Sequence, residues 1–523
     1  MRLESHRSRR IAVLAIMAAG AVAAAGCGTR QSTSDIIKYE GADGTVLTTQ
    51  AAGPAIDGTV TTPEQSTVAS TAPQGAAPAT TAAASGGGAV TVPNTPVTGP
   101  ATSGSGGGTT PVTSTASAAP NAHGGGTTTK PAAAASTAAA SNGSLEFPTC
   151  TTQGPPVVLG QVGSLSGLVG ANLQGAIKAP YVWVNYANAH GGLGCHPIKF
   201  VQIDDQSDPA SSQAAVETEV EKDHAIGLFG AVVPLDISGF IAGLTKEGVA
   251  NIGGDQAATE WLTSKYLYPV GGTSRAVIAG SVKAASAIGR KKIAVLYCVE
   301  ASPCGSNFYD TIVKDGFAQK YGMSVVYSGS ISITQPDFTA QCQNAKNAGA
   351  DTIAWGLDKA GLQRAAKSCA NIGYFPTLTL ISLQSTFDTT DPNIRKSGAF
   401  LSSPVWPYLT NNNAAENEFF TAMKQYAPGA VVDSSATEVW ADGMMLEKIV
   451  DALGPSAQTR ALTKDDIFAG AAKIQNETLH GLIPPTSYKA QGPQSENGCY
   501  YPLQFSADGT FSAPSGDKYS CIS

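Results

Sequence analysis

The sequence predicts an α/β fold with two lobes, and three observations carry that prediction. From Val157 onward, apolar runs of strand length alternate with segments of helix length. The alternation starts afresh near Thr273. The 378 residues from Glu146 to Ser523 exceed what one hydrophobic core usually holds. Strands alternating with helices form a parallel sheet covered on both faces, built with right-handed crossovers.

Each element has a local reason. Val157 to Val162 reads as a buried strand, and a helix follows from Leu173 to Asn188 with Pro180 as a kink. Ile198 to Asp204 is the next strand. Asp208 is placed to cap the helix that follows, with Pro209 at its first position. Ala225 to Val233 is a third strand, Asp236 to Glu247 a helix and Val249 to Gly253 a fourth strand. In the second run, Lys292 to Val299 is a strand and Ser306 to Tyr321 a helix. Val325 to Ile333 and Asp351 to Gly356 are strands around a helix from Phe338 to Ala348. Gly361 to Ile372 is a helix, and Thr377 to Ser382 a strand. Two long helices follow, Ala414 to Tyr426 and Ser434 to Leu453. Cys499 to Phe511 reads as a hairpin turning at Asp508-Gly509.

The N-terminal part has a different character. Arg2, Arg7, Arg9 and Arg10 precede an apolar run, Ile11 to Ala25, too short to span a bilayer and suited to an export signal. Ala24-Ala25-Gly26-Cys27 resembles a bacterial lipobox, which implies removal of residues 1–26 and lipid on Cys27. The expected location is therefore outside the cytoplasm, anchored to the outer face of the cell membrane. Residues 27–145 are mostly Ala, Thr, Gly, Ser and Pro, with Tyr39 the one aromatic residue. Such a segment cannot bury enough apolar surface to offset the entropy of ordering. It reads as a disordered tether with an r.m.s. reach of ~60 Å if it behaves as a flexible coil. Residues 146–523 form the folded part.

Charge and cysteines narrow the function. The formal net charge is −7, and loss of residues 1–26 leaves 28 basic against 38 acidic residues. Phosphate-backbone binding needs clustered Lys and Arg, so nucleic acid is not an expected partner. Eight cysteines remain besides Cys27: Cys150, Cys195, Cys298, Cys304, Cys342, Cys369, Cys499 and Cys521. An even number in an exported chain reads as disulfides. Order along the chain suggests 150–195, 298–304, 342–369 and 499–521, among about 105 connectivities. His190, Cys195 and His196 alone lie close together, in a Gly-rich turn, too few for a zinc site. No metal and no cofactor is expected.

Enzyme motifs are missing from the sequence. Gly163-Ser164-Leu165-Ser166-Gly167 has its serines at the wrong positions for a nucleophile elbow. There is no phosphate loop and no His-Glu-x-x-His. The spacing Gly160-x-x-Gly163-x-x-x-Gly167 does not fit dinucleotide binding. The chain offers instead loops at the carboxyl ends of parallel strands, where open α/β sheets bind ligands and helix N-termini present free N–H groups. Four such loops stand out: 163–167 with Ser164 and Ser166; Val233-Pro234-Leu235-Asp236; 253–258 with Asp255, Gln256, Ala257 and Ala258; and Ser382-Leu383-Gln384-Ser385 from the other lobe.

The residues 159–167, followed by Asn185-Tyr186-Ala187-Asn188-Ala189-His190-Gly191-Gly192-Leu193-Gly194 and then by 198–209, resemble the type I periplasmic binding proteins. The branch they resemble is the leucine/isoleucine/valine-binding one. The resemblance runs from about Val157 to Phe511. It implies two Rossmann-like lobes, a Venus flytrap joined by three crossovers near Gly272, Trp406 and Pro484. Lobe 1 would hold about 155–272 and 407–484, and lobe 2 about 273–406 and 485–523. It also implies an ABC importer, a permease and ATPase complex, as partner, and no enzymatic activity.

The same resemblance assigns the site, and the sequence departs from it in places. The second loop has Pro234-Leu235-Asp236 where amino-acid binders carry hydroxyls. Gln256-Ala257-Ala258 match positions that receive a carboxylate through backbone N–H groups, without the usual hydroxyl. Cys304-Gly305 stand where Tyr-Gly is common, and Gln384 near a position where a glutamate pairs with an ammonium group. Trp440 lies near a position facing the cleft. The expectation is a small polar ligand (amino acid, amide or small carboxylate) held by Ser166, Asp236 and Gln256 on one lobe and Gln384 on the other. The rivals are a sensor of the same fold and an exported α/β hydrolase acting through Ser166.

Overall fold

The computed structural model describes residues 145–301, 304–381, 387–490 and 492–522. Cys27, the tether and Gln384 lie outside the described residues. The first half is built on β1 (Val157–Gly163), α1 (Gly167–Asn172), α2 (Gln174–Ala189), β2 (Ile198–Asp204), α3 (Pro209–Glu221), β3 (Gly227–Ala231), α4 (Ile237–Glu247), β4 (Asn251–Gly254) and β5 (Leu267–Tyr268). These strands form one sheet in the order β2-β1-β3-β4-β5, every pair parallel. All residues of β1 except Val158 are buried, as a strand covered on both faces requires.

Two local devices explain the helices of this half. Asp208 accepts a hydrogen bond from Ser211 N at 2.8 Å and Pro209 opens α3, so one orphan N–H is satisfied and one removed. Pro180 lies inside α2 and has no N–H for the carbonyl of Ala176. Gln161, on β1, supplies the missing donor: its Nε2 lies 3.2 Å from Ala176 O.

The second half contains α5 (Ser274–Ala287), β6 (Lys292–Cys298), α6 (Ser306–Tyr309), α7 (Phe317–Lys320), β7 (Ser324–Ile331), α8 (Thr339–Asn347), β8 (Thr352–Trp355), α9 (Lys359–Asn371), β9 (Thr377–Thr379), α10 (Pro392–Ser397) and β10 (Ala399–Ser403). The segment expected as one helix from Ser306 to Tyr321 is interrupted. A π-type turn spans Asp310–Lys314, and Gly316 takes a left-handed φ of 74° before α7 starts. Then α11 (Ala414–Tyr426), α12 (Ser434–Asp451) and α13 (Lys464–Ala471) pack on the first sheet's side. The chain ends with β11 (Cys499–Phe505), β12 (Phe511–Ser512) and β13 (Ser520–Cys521). The second sheet runs β12-β11-β10-β9-β8-β6-β7, with β13 on β11. The pairs from β10 to β7 are parallel, while β11 is antiparallel to β10, β12 and β13.

The chain therefore passes between two α/β lobes three times, after β5, after β10 and before β11. The crossovers lie side by side. Gly272 N donates to Pro404 O at 2.8 Å, and Thr273 N to Asn497 O at 3.0 Å. Tyr488, fully enclosed, donates its hydroxyl to Pro269 O at 3.0 Å. Disulfides join Cys150 to Cys195, Cys298 to Cys304, Cys342 to Cys369 and Cys499 to Cys521. None of them links the two lobes.

The lobe 1 core centres on α12, where Lys448 alone among residues 434–450 escapes burial. Trp183 of α2 lies flat over Gly443, and a Cβ there would stand 2.3 Å from the ring. Gly443→Ala gains up to about 1 kcal/mol of helix propensity. The overpacking costs roughly 1–3 kcal/mol in a core that is already close-packed. The substitution is expected to destabilise the protein in urea unfolding; a gain in stability would show that Trp183 withdraws freely.

Candidate functional site

Parallel pairing brings three loops of lobe 1 to one edge of its sheet. Ser164 N donates to Val232 O at 2.7 Å, which joins the ends of β1 and β3. Asp255 N donates to Ala231 O at 2.8 Å, which joins β4 to β3. The second contact needs glycine before it. Gly254 has φ 127°, and a Cβ there would meet Ala231 O at 2.3 Å.

Beneath this edge lies a group of acids. Ser164 Oγ stands 3.1 Å from Asp205 Oδ1 and 3.1 Å from Asp236 Oδ1, and all three residues are fully buried. A hydroxyl has one proton to give, so the second contact calls for a proton on a carboxyl. Burial, helped by the hydrogen bond and charge of Asp236, pushes Asp205 up to about 8. Burial also pushes Asp255 up to about 7; the Ala257 N–H, 3.2 Å from its Oδ1, opposes this, and the charge of Asp236 adds to it.

The two lobes enclose connected empty space. A mainly apolar chamber of about 730 Å³, partly open to solvent, has Val169, Leu173 and Leu235 on one side and Ile333, Leu357 and Ile381 on the other. Among the described residues Lys359 is the one cation on its wall, next to Asp358. Asp255, Ala257 and Ile381 also line a second chamber of about 310 Å³, where Gln256 and Glu438 join them. Gln256 and Ser274 continue into a polar mouth of about 680 Å³. Buried hydrogen bonds cross between lobes here: Asn307 Nδ2 donates to Ala257 O at 2.5 Å, and the Ser403 and Ser434 hydroxyls lie 3.2 Å apart.

The residues singled out in the sequence fall into three groups. Pro234, Leu235, Asp255 and Ala257 line the apolar chamber, and Gln256 and Ala258 line the spaces beside it. Ser164 and Asp236 lie below the cleft floor in the acid group rather than on its surface. Ser166 is exposed at the start of α1, outside these three chambers. Trp440 is in the core, fully buried between Tyr186 and Phe419 at centroid distances of 5.1 and 5.6 Å. The lobe 2 wall was not read from the sequence, although Leu357-Asp358-Lys359 follows β8 and Ile333 follows β7, where the strand-end rule points. Asn307 follows the loop closed by Cys298–Cys304 and carried no signal of its own.

A family model described as Periplasmic binding protein matches residues 156–510. The chain belongs to the periplasmic binding protein family. Solved structures agree in fold. A possible leucine/isoleucine/valine-binding protein from Rhodopirellula baltica is 14% identical, with TM-score 0.57, covering 69% of this chain and 96% of its own. A solute binding protein of an ABC transporter from R. palustris, in complex with benzoate, is 16% identical, with TM-score 0.54, covering 69% and 95%. A fatty acid ABC transporter substrate-binding protein from Thermomonospora curvata is 16% identical, with TM-score 0.54, covering 69% and 93%. No curated protein matches the chain by sequence. As a periplasmic binding protein it is implied to act outside the cytoplasm on a small molecule. Among the described residues no helix is long and apolar enough to cross a membrane.

The acid group makes a prediction about pH. Asp205 is raised above its unfolded value of about 3.9, so the native state keeps a proton that the unfolded state releases. Its contribution is full below about pH 4 and is lost as pH rises to about 8. Asp205→Asn should flatten this fall when urea midpoints are measured from pH 4 to 8. An unchanged slope would show the pair to be fully charged in the native state.

Proposed function

We propose that this periplasmic binding protein is the tethered, lipid-anchored receptor of an ABC importer, capturing a small solute with an apolar body by closing its lobes. The observation that carries the reading is the apolar chamber to which both lobes contribute wall residues. Neither lobe alone offers Leu235 and Leu173 together with Ile333, Leu357 and Ile381, so burial of an apolar ligand is complete only when the lobes meet. Ligand then shifts the population toward the closed form, and the permease and ATPase complex reads that form. The three adjacent crossovers supply the hinge. The lipid on Cys27 and the reach of the tether rest on the sequence alone.

The sequence suggested a small polar ligand, an amino acid, amide or small carboxylate. The lining argues for a less polar body. Pro234 and Leu235 replace the hydroxyls that a zwitterion would use, and Leu235 faces the chamber. Benzoate and fatty acid, the ligands named for the R. palustris and T. curvata proteins, also have apolar bodies. No catalytic step is assigned to this site.

The test is thermal unfolding with a library of neutral, acidic and basic solutes of aryl and alkyl type, with amino acids included. Saturation at 100 times Kd adds about 2.7 kcal/mol and raises Tm by several degrees. Ile333→Lys should abolish the shift, with a small fall in Tm without ligand because Ile333 also packs in part against the lobe 2 core. A library without any shift would overturn the reading.

A further inference from the structure

Resting on that reading, we infer that the ligand presents a positively charged hydrogen-bond donor to lobe 1, so that its class is an apolar primary amine. Two residues that line the smaller chamber, Asp255 and Gln256, each carry an enclosed acceptor oxygen with no donor among the described residues. Asp255 is 6% exposed; its Oδ1 takes the Ala257 N–H, and its Oδ2 has no partner among the described residues. Gln256 is 8% exposed, and its Oε1 likewise has none. The amide cannot be turned round, because Nε2 donates to Val270 O at 2.6 Å and an oxygen there would face a carbonyl. Glu438, reaching the same chamber from α12, keeps its Oε1 on the Ser434 hydroxyl at 2.9 Å.

Charge points the same way. Among the described residues the walls of this chamber carry Asp255 and Glu438 and no Lys, Arg or His. Asp236, at the start of α4, adds its charge to the surroundings of Asp255. From lobe 2, Asp358 and Lys359 face the adjoining apolar chamber and offset each other. A carboxylate placed at Asp255 would meet acceptors and like charge. An ammonium brings three donors and the missing positive charge. Its apolar part extends into the larger chamber past Ala257, which lines both.

The test uses matched pairs: n-hexylamine against hexanoate, and benzylamine against benzoate, by calorimetry and thermal unfolding of the full chain. Amines are expected to bind and carboxylates of the same body at least tenfold more weakly. Amine affinity should fall up to tenfold per pH unit below about pH 7, where Asp255 holds its own proton. The amines stay charged throughout. Asp255→Asn should lower amine affinity at least tenfold and remove this pH dependence. Glu438→Gln, on the opposite wall, should weaken amines without affecting carboxylates. Binding of carboxylates in preference to amines, or an amine affinity that rises as pH falls, would overturn the inference and leave the receptor reading standing. So would a neutral solute of the wider library binding where no amine does. If no solute of any class binds, the receptor reading itself falls.

Discussion

Parallel strand pairing is the constraint on which the rest depends. Because β1 pairs in parallel with both β2 and β3, and β4 with β3, every loop that leaves these strands emerges on one edge. The β6-β8-β9-β10 run does the same in lobe 2. Two such edges, joined by three adjacent crossovers, produce a cleft whose walls are loops and helix starts. The site is thus a consequence of topology before it is a matter of particular side chains.

What the cleft contains is set by an uneven division of polarity. The larger chamber is apolar, while the smaller one, also lined from both lobes, has Asp255, Gln256 and Glu438 on its walls. Burial, with the charge of Asp236 beside it, pushes the Asp205 and Asp255 carboxyls up. A buried acceptor without a donor costs about 1–3 kcal/mol. A solute that supplies the donor recovers that cost, and one that cannot is disfavoured. Specificity here needs few contacts, since the hydrocarbon body contributes by area and the polar end by rejection of the wrong charge.

Much of this was legible in the residues. The continuous apolar run of β1, the Asp208-Pro209 start of α3 and the Asp508-Gly509 turn of the final hairpin each carry a mechanism that works locally. The gaps have physical causes. Ala399–Ser403 is short and has two serines, so nothing in its own pattern marks it as a strand buried between β9 and β11. The helix read from Ser306 to Tyr321 breaks because Asp310–Lys314 is underwound to a wider π-type turn and Gly316 turns left-handed after it, which periodicity does not reveal. In the site, backbone-positioned residues such as Asp255, Gln256 and Ala257 followed from strand ends. Ser164 could not be told from Ser166 by type; two residues apart, one is buried against Asp205 and Asp236 and the other is exposed. Trp440 carries the same lesson, since its helix is buried on every face.

The central claim is that the lobes move together around a captured solute. Spin labels at Thr259, on the lobe 1 side of the mouth, and at Lys314, next to the mouth residue Asp315 on lobe 2, are both placed at exposed positions. Their separation, measured by pulsed electron paramagnetic resonance, should show a broad distribution without ligand. A bound solute should give a shorter, narrower one. A distance distribution unchanged by a solute that demonstrably binds would contradict the account.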